Sequence, residues 1–286
     1  MTSSVALITG ASSGIGYQAA LALQAKGATV YAAARRAIPT LAERGIHTLT
    51  LDLADEGSLA SAVERILDRE GHIDILVNNA GYGAYGAIEE VSIAEARHQF
   101  EVNVFGAMRL TQLVLPSMIA RGHGRIVNMS SLGGRFAMAL GGWYHATKYA
   151  LEALTDALRQ EVKPFGVDVV LIEPGLVHTD WPRIAASSLK ATSGFGRYAH
   201  IAENFALALD FAGRIATEPN VIGALVAHAA TTARPRTRYR KGFGAVPLAF
   251  IPQHLPDRAF DWAVKLLLNH FGDLVNLVRS DIDELV

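Results

Sequence analysis

Tyr144 and Lys148 are the two side chains whose types and spacing most directly suggest chemistry. Four residues apart on a helix, they project from the same face, one turn above the other. An isolated tyrosine titrates near about 10, and a lysine charge within a few ångströms is expected to lower that pKa. We therefore interpret the pair as a general acid and base. The alternative is a solvated helix face, because this spacing is common in helices.

A glycine-rich turn follows the first predicted strand, Val5–Thr9, and precedes a predicted helix at 15–26. Glycine at positions 10, 14 and 16 permits a tight turn and lets backbone N–H groups approach a pyrophosphate at the positive end of the helix. The spacing G-x-x-x-G-x-G differs from the general dinucleotide fingerprint G-x-G-x-x-G. A glycine turn without a ligand is therefore the alternative interpretation.

These elements belong to a regular alternation of strands and helices. Further strands are predicted at 28–34, 47–53, 73–78, 125–130 and 167–173, and helices at 58–69, 93–121 and 147–163. The alternation implies right-handed crossovers and an α/β fold, a doubly wound parallel sheet with helices on both faces. We see no domain boundary and expect a single domain over residues 1–286. Ligands of such sheets lie beyond the carboxyl ends of the strands.

Composition excludes several classes of function. The chain has 286 residues, of which 50% are hydrophobic and 19% charged, with a net charge of -1 and no cysteine. It is long enough to bury a large core, and it cannot use disulfides or thiolates. The near-neutral charge gives no argument for nucleic acid. Without an apparent signal peptide or membrane-spanning run, the expected location is cytoplasmic.

The 10 histidines show no metal-ligand spacing, and we expect no metal site. His145 projects about 100° away from Tyr144 on the predicted helix. We therefore expect its ring at the surface or in an interface.

Several motifs follow the predicted strands in a fixed order. They are the glycine turn, Asp52, Asn78-Asn79-Ala80-Gly81, Asn103, a serine, the Tyr144–Lys148 pair and Pro174-Gly175. With these motifs the sequence resembles the short-chain dehydrogenase/reductase family in its typical form, over residues 5 to 180. The resemblance implies a Rossmann-like fold and hydride transfer between a nicotinamide and an alcohol or carbonyl. Residues beyond 180 carry no family signature.

The resemblance implies four catalytic side chains, which are Asn103, Ser131, Tyr144 and Lys148. Ser131 is implied to hydrogen-bond the substrate oxygen, and Tyr144 to exchange its proton. Lys148 is implied to lower the tyrosine pKa and hold the nicotinamide ribose, and Asn103 to interrupt its helix and hold a relaying water. Ser130 is the alternative to Ser131. The segment 131–134 resembles 17β-hydroxysteroid dehydrogenases, and the chain resembles these and retinol dehydrogenase-like members.

The residues after the second predicted strand indicate the cofactor. NAD-selective members of the family have an acidic residue there, whereas this chain has Arg35 and Arg36. A guanidinium suits the 2′-phosphate of NADP(H) through a charge-assisted contact, so NADP(H) is expected. Two arginines on a solvated loop are the alternative. Ser13 stands at the family's other basic position and adds no support.

The resemblance assigns further residues to the cofactor. Asp52 is implied to accept from the adenine amino group, and Val177 and Thr179 to meet the nicotinamide carboxamide. Helix capping is the alternative for Asp52 and Thr179. Besides the two arginines, the expected contacts are Gly10, Ser12, Ser13, Gly14, Ile15, Gly16, Asp52, Leu53, Asn79, Ala80, Gly81, Tyr144, Lys148, Pro174, Gly175, Val177 and Thr179.

The segments that select substrate in this family are apolar here. They predict an apolar alcohol or carbonyl substrate, such as a steroid, retinoid or lipid-derived ketone, with core packing as the alternative. We expect residues 182–215 to form a substrate loop or lid, mobile at 185–196, and residues 243–286 an apolar C-terminal extension. Three roles are open for the extension. It covers the substrate pocket, it forms a contact between subunits, or, together with the basic stretch 234–241, it binds an anionic membrane surface.

The sequence and the family resemblance also bear on nucleic-acid binding, on oligomerisation and on a non-catalytic function. Nucleic acid is not expected, because the stretch 234–241 contains Tyr239 as its single aromatic residue. A homodimer or homotetramer is implied by the resemblance. The alternative function is a non-catalytic dinucleotide-binding protein that acts as a redox-sensing partner. Such proteins usually lack part of the serine, tyrosine and lysine set, which this chain has complete.

Overall fold

A parallel sheet of seven strands forms the centre of the fold. The computed structural model describes residues 3–283, and side chains for residues 3–272. The strands are β1 (Val5–Thr9), β2 (Thr29–Ala34), β3 (His47–Thr50), β4 (Ile75–Asn78), β5 (Gly124–Met129), β6 (Val167–Pro174) and β7 (Arg238–Lys241). Their order is β3-β2-β1-β4-β5-β6-β7, and all neighbours run parallel. The order reverses between β1 and β4, so a crevice opens at the carboxyl ends of these strands.

Helices cover both faces of the sheet. They are α1 (Gly14–Ala25), α2 (Pro39–Ala42), α3 (Glu56–Glu70), α4 (Ile93–Phe100), α5 (Gly106–Arg121), α6 (Gly142–Val162), α7 (Trp181–Ser193), α8 (Ala199–Arg214), α9 (Pro219–Thr231), α10 (Ala245–His254) and α11 (Asp257–Asp283). α1 and α9 pack on one face, and α3 and α5 pack on the other. The expected Rossmann-like, doubly wound α/β fold in one domain is therefore confirmed.

The strands are continuous apolar runs because both of their faces are buried. In β1, Ala6 and Ile8 belong to the core under α1 and α9, whereas Val5 and Leu7 belong to the core under α3 and α5. Two predicted strands are shorter than expected: β3 ends at Thr50, and β4 begins at Ile75.

The predicted helix at 93–121 is present and has one interruption. α4 runs into a π-helical turn, Glu101–Phe105, and that turn runs into α5. By length and composition alone, this helix could cross a membrane. However, Leu110, Val114 and Met118 are buried in the core between the sheet and helices α3 and α5. Such burial is typical of a core helix.

One expectation for the second half of the chain is wrong, and one of its strands was not predicted. Residues 185–196, expected as a mobile loop, lie mainly in α7, and α8 makes most of the segment 182–215 helical. Ala185, Ala186 and Leu189 are buried at helical spacing, and alanine has the highest helix propensity. Within the basic stretch 234–241, Arg238–Lys241 form the edge strand β7, which the sequence did not predict, whereas Arg234 and Arg236 are exposed.

The C-terminal extension is helical. α10 lies beside β7, and α11 packs along α8. Leu268 of α11 is buried in the apolar cluster that contains Tyr144 and Phe205, so this helix reaches the region of the expected site. The last residues of the extension, 284–286, lie outside the described residues.

Candidate active site

Tyr144 and Lys148 lie in the first turns of α6. Both side chains are buried, each with 6% of its surface exposed. The Lys148 Nζ lies 5.9 Å from the centroid of the Tyr144 ring. It donates a hydrogen bond of 2.9 Å to the carbonyl oxygen of Met129, the last residue of β5. The two side chains predicted to meet are therefore brought together, with the ammonium beside the phenol ring.

Burial, rather than mutual attraction, dominates the titration of this pair. It raises the pKa of Tyr144 to about 12, and a hydrogen bond with Ser131 acts in the opposite direction. It lowers the pKa of Lys148 to about 8, while the negative charge of Glu152 opposes this shift. The predicted lowering of the tyrosine pKa is thus wrong for this structure, because desolvation favours the neutral form of both groups.

Ser131 and Ser130 follow β5 but face different neighbours. The Ser131 Oγ accepts a hydrogen bond from the Gly133 N–H at 3.1 Å, and the hydroxyl is hydrogen-bonded with Tyr144. The Ser130 Oγ is sealed from solvent and lies next to Glu152 instead. The geometry therefore favours Ser131 over Ser130 as the serine that shares a substrate oxygen with Tyr144.

Asn103 lies in the π-helical turn, so it interrupts its helix as expected. Its amide donates to the Tyr82 carbonyl oxygen at 2.8 Å, and its carbonyl oxygen accepts from the Tyr82 N–H at 3.0 Å. A Cβ added to Gly81 would lie 3.0 Å from the Asn103 Oδ1 and 3.7 Å from the Lys148 Nζ. Asn103 and Lys148 thus border the same space beside Gly81. The relaying water that the family resemblance implies would lie in this space.

The glycine turn between β1 and α1 forms a cradle that fits a dinucleotide pyrophosphate. Gly10 has a φ of +67°, and a Cβ added to Gly16 would lie only 2.4 Å from the Gly10 carbonyl oxygen. Asn79 fixes the turn by donating to the carbonyl oxygens of Thr9 and Gly10. No side chain caps α1 at Ser13, so its first N–H groups are available to an anion.

Arg35, Arg36 and Asp52 follow the strands on the adenosine side of the crevice. Both arginines are exposed directly after β2. The Asp52 Oδ1 accepts a hydrogen bond from the Ala54 N–H, whereas Asp55 caps α3. The capping alternative for Asp52 is therefore wrong. The predicted neighbour Leu53 is buried against α5.

The residues expected to meet the nicotinamide follow β6. Gly175 donates from its N–H to the Lys241 carbonyl oxygen, and Val177 pairs with Thr217. The Thr179 Cγ2 would lie 3.1 Å from a Cβ added to Gly14, so Thr179 stands over the glycine turn. Its hydroxyl also accepts from the Trp181 N–H, which caps the start of α7. A cofactor contact and the capping alternative are thus compatible.

His145 is not at the surface, contrary to expectation. Its side chain is 5% exposed, and its Nδ1 lies 3.0 Å from the Gly133 carbonyl oxygen. Burial lowers the pKa of the imidazole, so the ring is a structural contact between α6 and the serine segment. Within residues 3–272, no group of three or more His, Asp or Glu side chains is placed to hold a metal ion.

A partly buried network of charges joins α6, β6 and β7, and the sequence did not predict it. We call its members, Glu152, Asp156, Glu173, Arg238 and Arg240, the arginine–carboxylate network. Arg238 contacts Glu152 at 3.2 Å and Glu173 at 3.1 Å, and it also pairs with Asp156. Glu173 is fully buried and also pairs with Arg240. The helical spacing of Tyr144, Lys148, Glu152 and Asp156 was the available sequence signal.

An aromatic wall lies against the Tyr144 ring. The ring centroids of Tyr85 and Trp181 lie 5.6 Å and 5.2 Å from that of Tyr144. Leu140 and Phe205 belong to the same apolar cluster. Tyr85 was not predicted as a site residue, because it belongs to no family motif, although it closely follows the predicted Gly81.

Comparison with known proteins agrees with this geometry. Residues 4–187 match the short chain dehydrogenase family, and the chain belongs to that family of oxidoreductases. A 3-ketodihydrosphingosine reductase of Bacteroides thetaiotaomicron is 31% identical over 93% of this chain and 98% of its own. An NADPH-dependent 3-dehydrocapnine reductase of Ornithobacterium rhinotracheale is 32% identical over 89% and 95% of the two chains.

Solved structures of the family share the fold. A short-chain dehydrogenase from Streptomyces avermitilis superposes with a TM-score of 0.72 at 30% identity, over 96% of this chain and 98% of that one. A metagenomic short-chain oxidoreductase in complex with NADP has a TM-score of 0.66 at 28% identity, over 82% and 95%. The predicted family membership is therefore confirmed.

Proposed function

We propose that this protein is an NADP(H)-dependent oxidoreductase that interconverts an apolar, lipid-like ketone and its alcohol. The assembly of Ser131, Tyr144 and Lys148 beside the glycine cradle is the observation that carries the proposal. Bound nicotinamide would supply the hydride chemistry. The chain's own residues orient the substrate oxygen between Ser131 and Tyr144, and the Tyr144 hydroxyl supplies the proton.

The choice of NADP(H) rests on Arg35 and Arg36. Both side chains are exposed after β2, and within the described part of the chain neither forms an ion pair. Two exposed guanidinium groups suit a phosphate dianion, and the sequence has no acidic residue directly after β2. An NADPH-dependent relative and a neighbour solved with NADP support the same choice.

An apolar substrate is supported by the surroundings of Tyr144. A cavity of about 320 Å³ lies between α8, α11 and residues 137–139. Its apolar lining residues on α8 and α11 are Ile201, Phe260, Val264 and Leu268, and its polar ones are Asp261, Lys265 and Asn269. Leu268 also belongs to the cluster that contains Tyr144. Apolar linings of this kind bind the apolar part of a ligand. Relatives named for the reduction of 3-ketodihydrosphingosine and 3-dehydrocapnine support a lipid-like ketone over a steroid or retinoid.

The proposal also covers the borders of the substrate site, the oligomeric state and the cellular location. We infer that α7 and α8, in segment 182–215, and the extension 243–286 border the substrate site, since both contribute to the cluster around Tyr144. A homodimer or homotetramer is supported by the exposed Phe105 and Tyr149 on the helices that carry Asn103 and Tyr144. A cytoplasmic location, with no nucleic-acid partner, completes the proposal.

The function can be tested with the full-length chain and a panel of ketones. We expect loss of reduced-nicotinamide absorbance with NADPH and long-chain ketones, and a slower reaction with NADH. Steroid and retinoid carbonyls serve as the comparison set. If no ketone in the panel is reduced although NADPH binds, the protein belongs to the non-catalytic dinucleotide-binding class instead.

A further inference from the structure

Tyr85 is a buried phenol beside Tyr144 that has no place in the proposed chemistry so far. It lies between β4 and α4, and its side chain is 4% exposed. Its ring centroid is 5.6 Å from that of Tyr144 and 5.7 Å from those of Trp181 and Phe205. The ring therefore belongs to the wall that faces the Tyr144 phenol.

Two glycines hold the Tyr85 ring in place. A Cβ added to Gly83 would lie 2.9 Å from the Tyr85 Cε2, and one added to Gly141 would lie 2.8 Å from its Cε1. Backbone thus packs against both edges of the ring. The Tyr85 N–H also donates to the Ser188 Oγ at 3.2 Å, which ties the segment to α7. The hydroxyl is consequently held in a fixed position rather than on a mobile side chain.

The Tyr85 hydroxyl is unpaired. None of the residues described here forms a hydrogen bond with it, whereas the hydroxyls of Tyr31 and Tyr82 are bonded to Glu70 and Glu95. Buried polar groups normally have a partner, because an unmade hydrogen bond costs free energy. The unpaired Tyr85 hydroxyl can therefore still form a hydrogen bond with a molecule bound beside Tyr144.

The hydroxyl also keeps its proton. Burial, together with the neighbouring Tyr144, raises the pKa of Tyr85 well above its usual range. At every pH at which the protein works, the group is a neutral phenol that can donate one hydrogen bond and accept others. It does not compete with Tyr144 as an acid, and its chemistry is limited to binding.

We propose that the Tyr85 hydroxyl forms a polar subsite that hydrogen-bonds a hydroxyl or amino group on the carbon next to the reacting carbonyl. The inference rests on the proposed function, in which Tyr144 addresses the reacting oxygen. The two phenol rings lie side by side, with centroids 5.6 Å apart and 33° between their planes, so one ligand can meet both hydroxyls through neighbouring heteroatoms. A plain ketone leaves Tyr85 unpaired, and this difference selects the substituted ketone.

The test compares two ketones in the full-length protein with NADPH. One is the methyl ketone of a dodecyl-length chain, and the other is the same ketone with a hydroxyl on its methyl carbon. We expect Tyr85→Phe to lower the kcat/KM ratio of the hydroxy ketone to the plain ketone by about fivefold to tenfold, mainly through KM. Differences in carbonyl reactivity cancel, because each variant is measured with both substrates.

The control is Tyr149→Phe, which removes a half-exposed phenol from α6 and should leave the ratio unchanged. Tyr85→Phe keeps the ring, so its melting temperature should stay within about 2 °C of the parent. An unchanged ratio in Tyr85→Phe, with both ketones still reduced, overturns the subsite and leaves the proposed function intact. If the parent protein reduces neither ketone, the proposed function fails, and the subsite fails with it.

Discussion

The Lys148 ammonium lies 5.9 Å from the centroid of the Tyr144 ring and donates its hydrogen bond to the Met129 carbonyl oxygen. The contact thus involves the ring of the phenol, while the strongest polar contact of the ammonium is with the end of β5. Burial raises the pKa of Tyr144 to about 12 and lowers that of Lys148 to about 8. The titration that falls within the working pH range is therefore that of the lysine.

This assignment predicts how ketone reduction depends on pH. With a pKa of about 12, Tyr144 keeps its proton throughout the range, whereas Lys148 loses its charge as the pH rises through about 8. The pH dependence of kcat/KM reports the titration of groups in the free enzyme. We therefore expect kcat/KM for reduction to be constant below about pH 8 and to fall above it, as Lys148 loses its charge. The Lys148→Arg variant keeps its charge and should lose this inflection, at a lower rate. A parent profile without a fall near pH 8 contradicts the assignment.

Glu152 should set the position of that inflection. Its negative charge raises the pKa of Lys148 against the effect of burial. Glu152→Gln is therefore expected to move the inflection of the kcat/KM profile to lower pH. Asp156→Asn is the matched control, since Asp156 also pairs with Arg238 but has no resolved effect on Lys148. Equal displacement in both variants would point to a general change in the network rather than to the Glu152 charge.

Tyr144→Phe should remove the proton donor and little else. The phenylalanine ring preserves the contacts with Tyr85 and Trp181, so the fold and the glycine cradle are retained. We expect kcat to fall by about 10²- to 10⁴-fold, the usual contribution of a general acid. NADPH affinity, measured by protein fluorescence, should stay within about twofold. Activity close to that of the parent would mean that another group supplies the proton.

Arg35 and Arg36 should determine the preference between the two nicotinamide cofactors. Replacing both by alanine removes two charges that have no ion-pair partner within the described residues. We expect the Kd for NADPH to rise by about tenfold or more, because charge-assisted contacts to a phosphate are lost, with little change for NADH. The measurement is a pair of titrations at one fixed salt concentration. Equal losses for the two cofactors would remove the argument for NADP(H).

The sequence predicted those parts of the site whose residues lie only a few positions apart in the chain. The glycine turn needs Gly10 and Gly16 in one loop, because the carbonyl oxygen of the first excludes a Cβ on the second. Tyr144 and Lys148 are one helical turn apart. The alternation of short strands with helices likewise predicted the parallel sheet, because parallel neighbours need a crossover connection.

The parts that the sequence did not predict depend on distant partners. Arg238 was predicted only as part of the basic stretch 234–241, because its partner Glu152 is 86 residues away along the chain. β7 was missed for the same reason, since its arginines are accommodated by carboxylates on β6 and α6. The pKa of Tyr144 was predicted in the wrong direction because helical spacing indicates proximity but not the degree of desolvation.

The arginine–carboxylate network should matter for stability out of proportion to its size. Glu173 is fully buried and pairs with both Arg238 and Arg240. Glu173→Gln therefore leaves Arg240 facing a neutral amide, whereas Arg238 keeps Glu152 and Asp156. Breaking a buried pair on one side costs about 3 kcal/mol, because the remaining charge loses its compensation. Lys163→Ala removes an exposed ion pair with Asp168 and should cost less than about 1 kcal/mol. Urea unfolding of both variants measures the difference. If the two costs were equal, Arg240 would have to be stabilised by its stacking on Phe250, 4.9 Å away, rather than by Glu173.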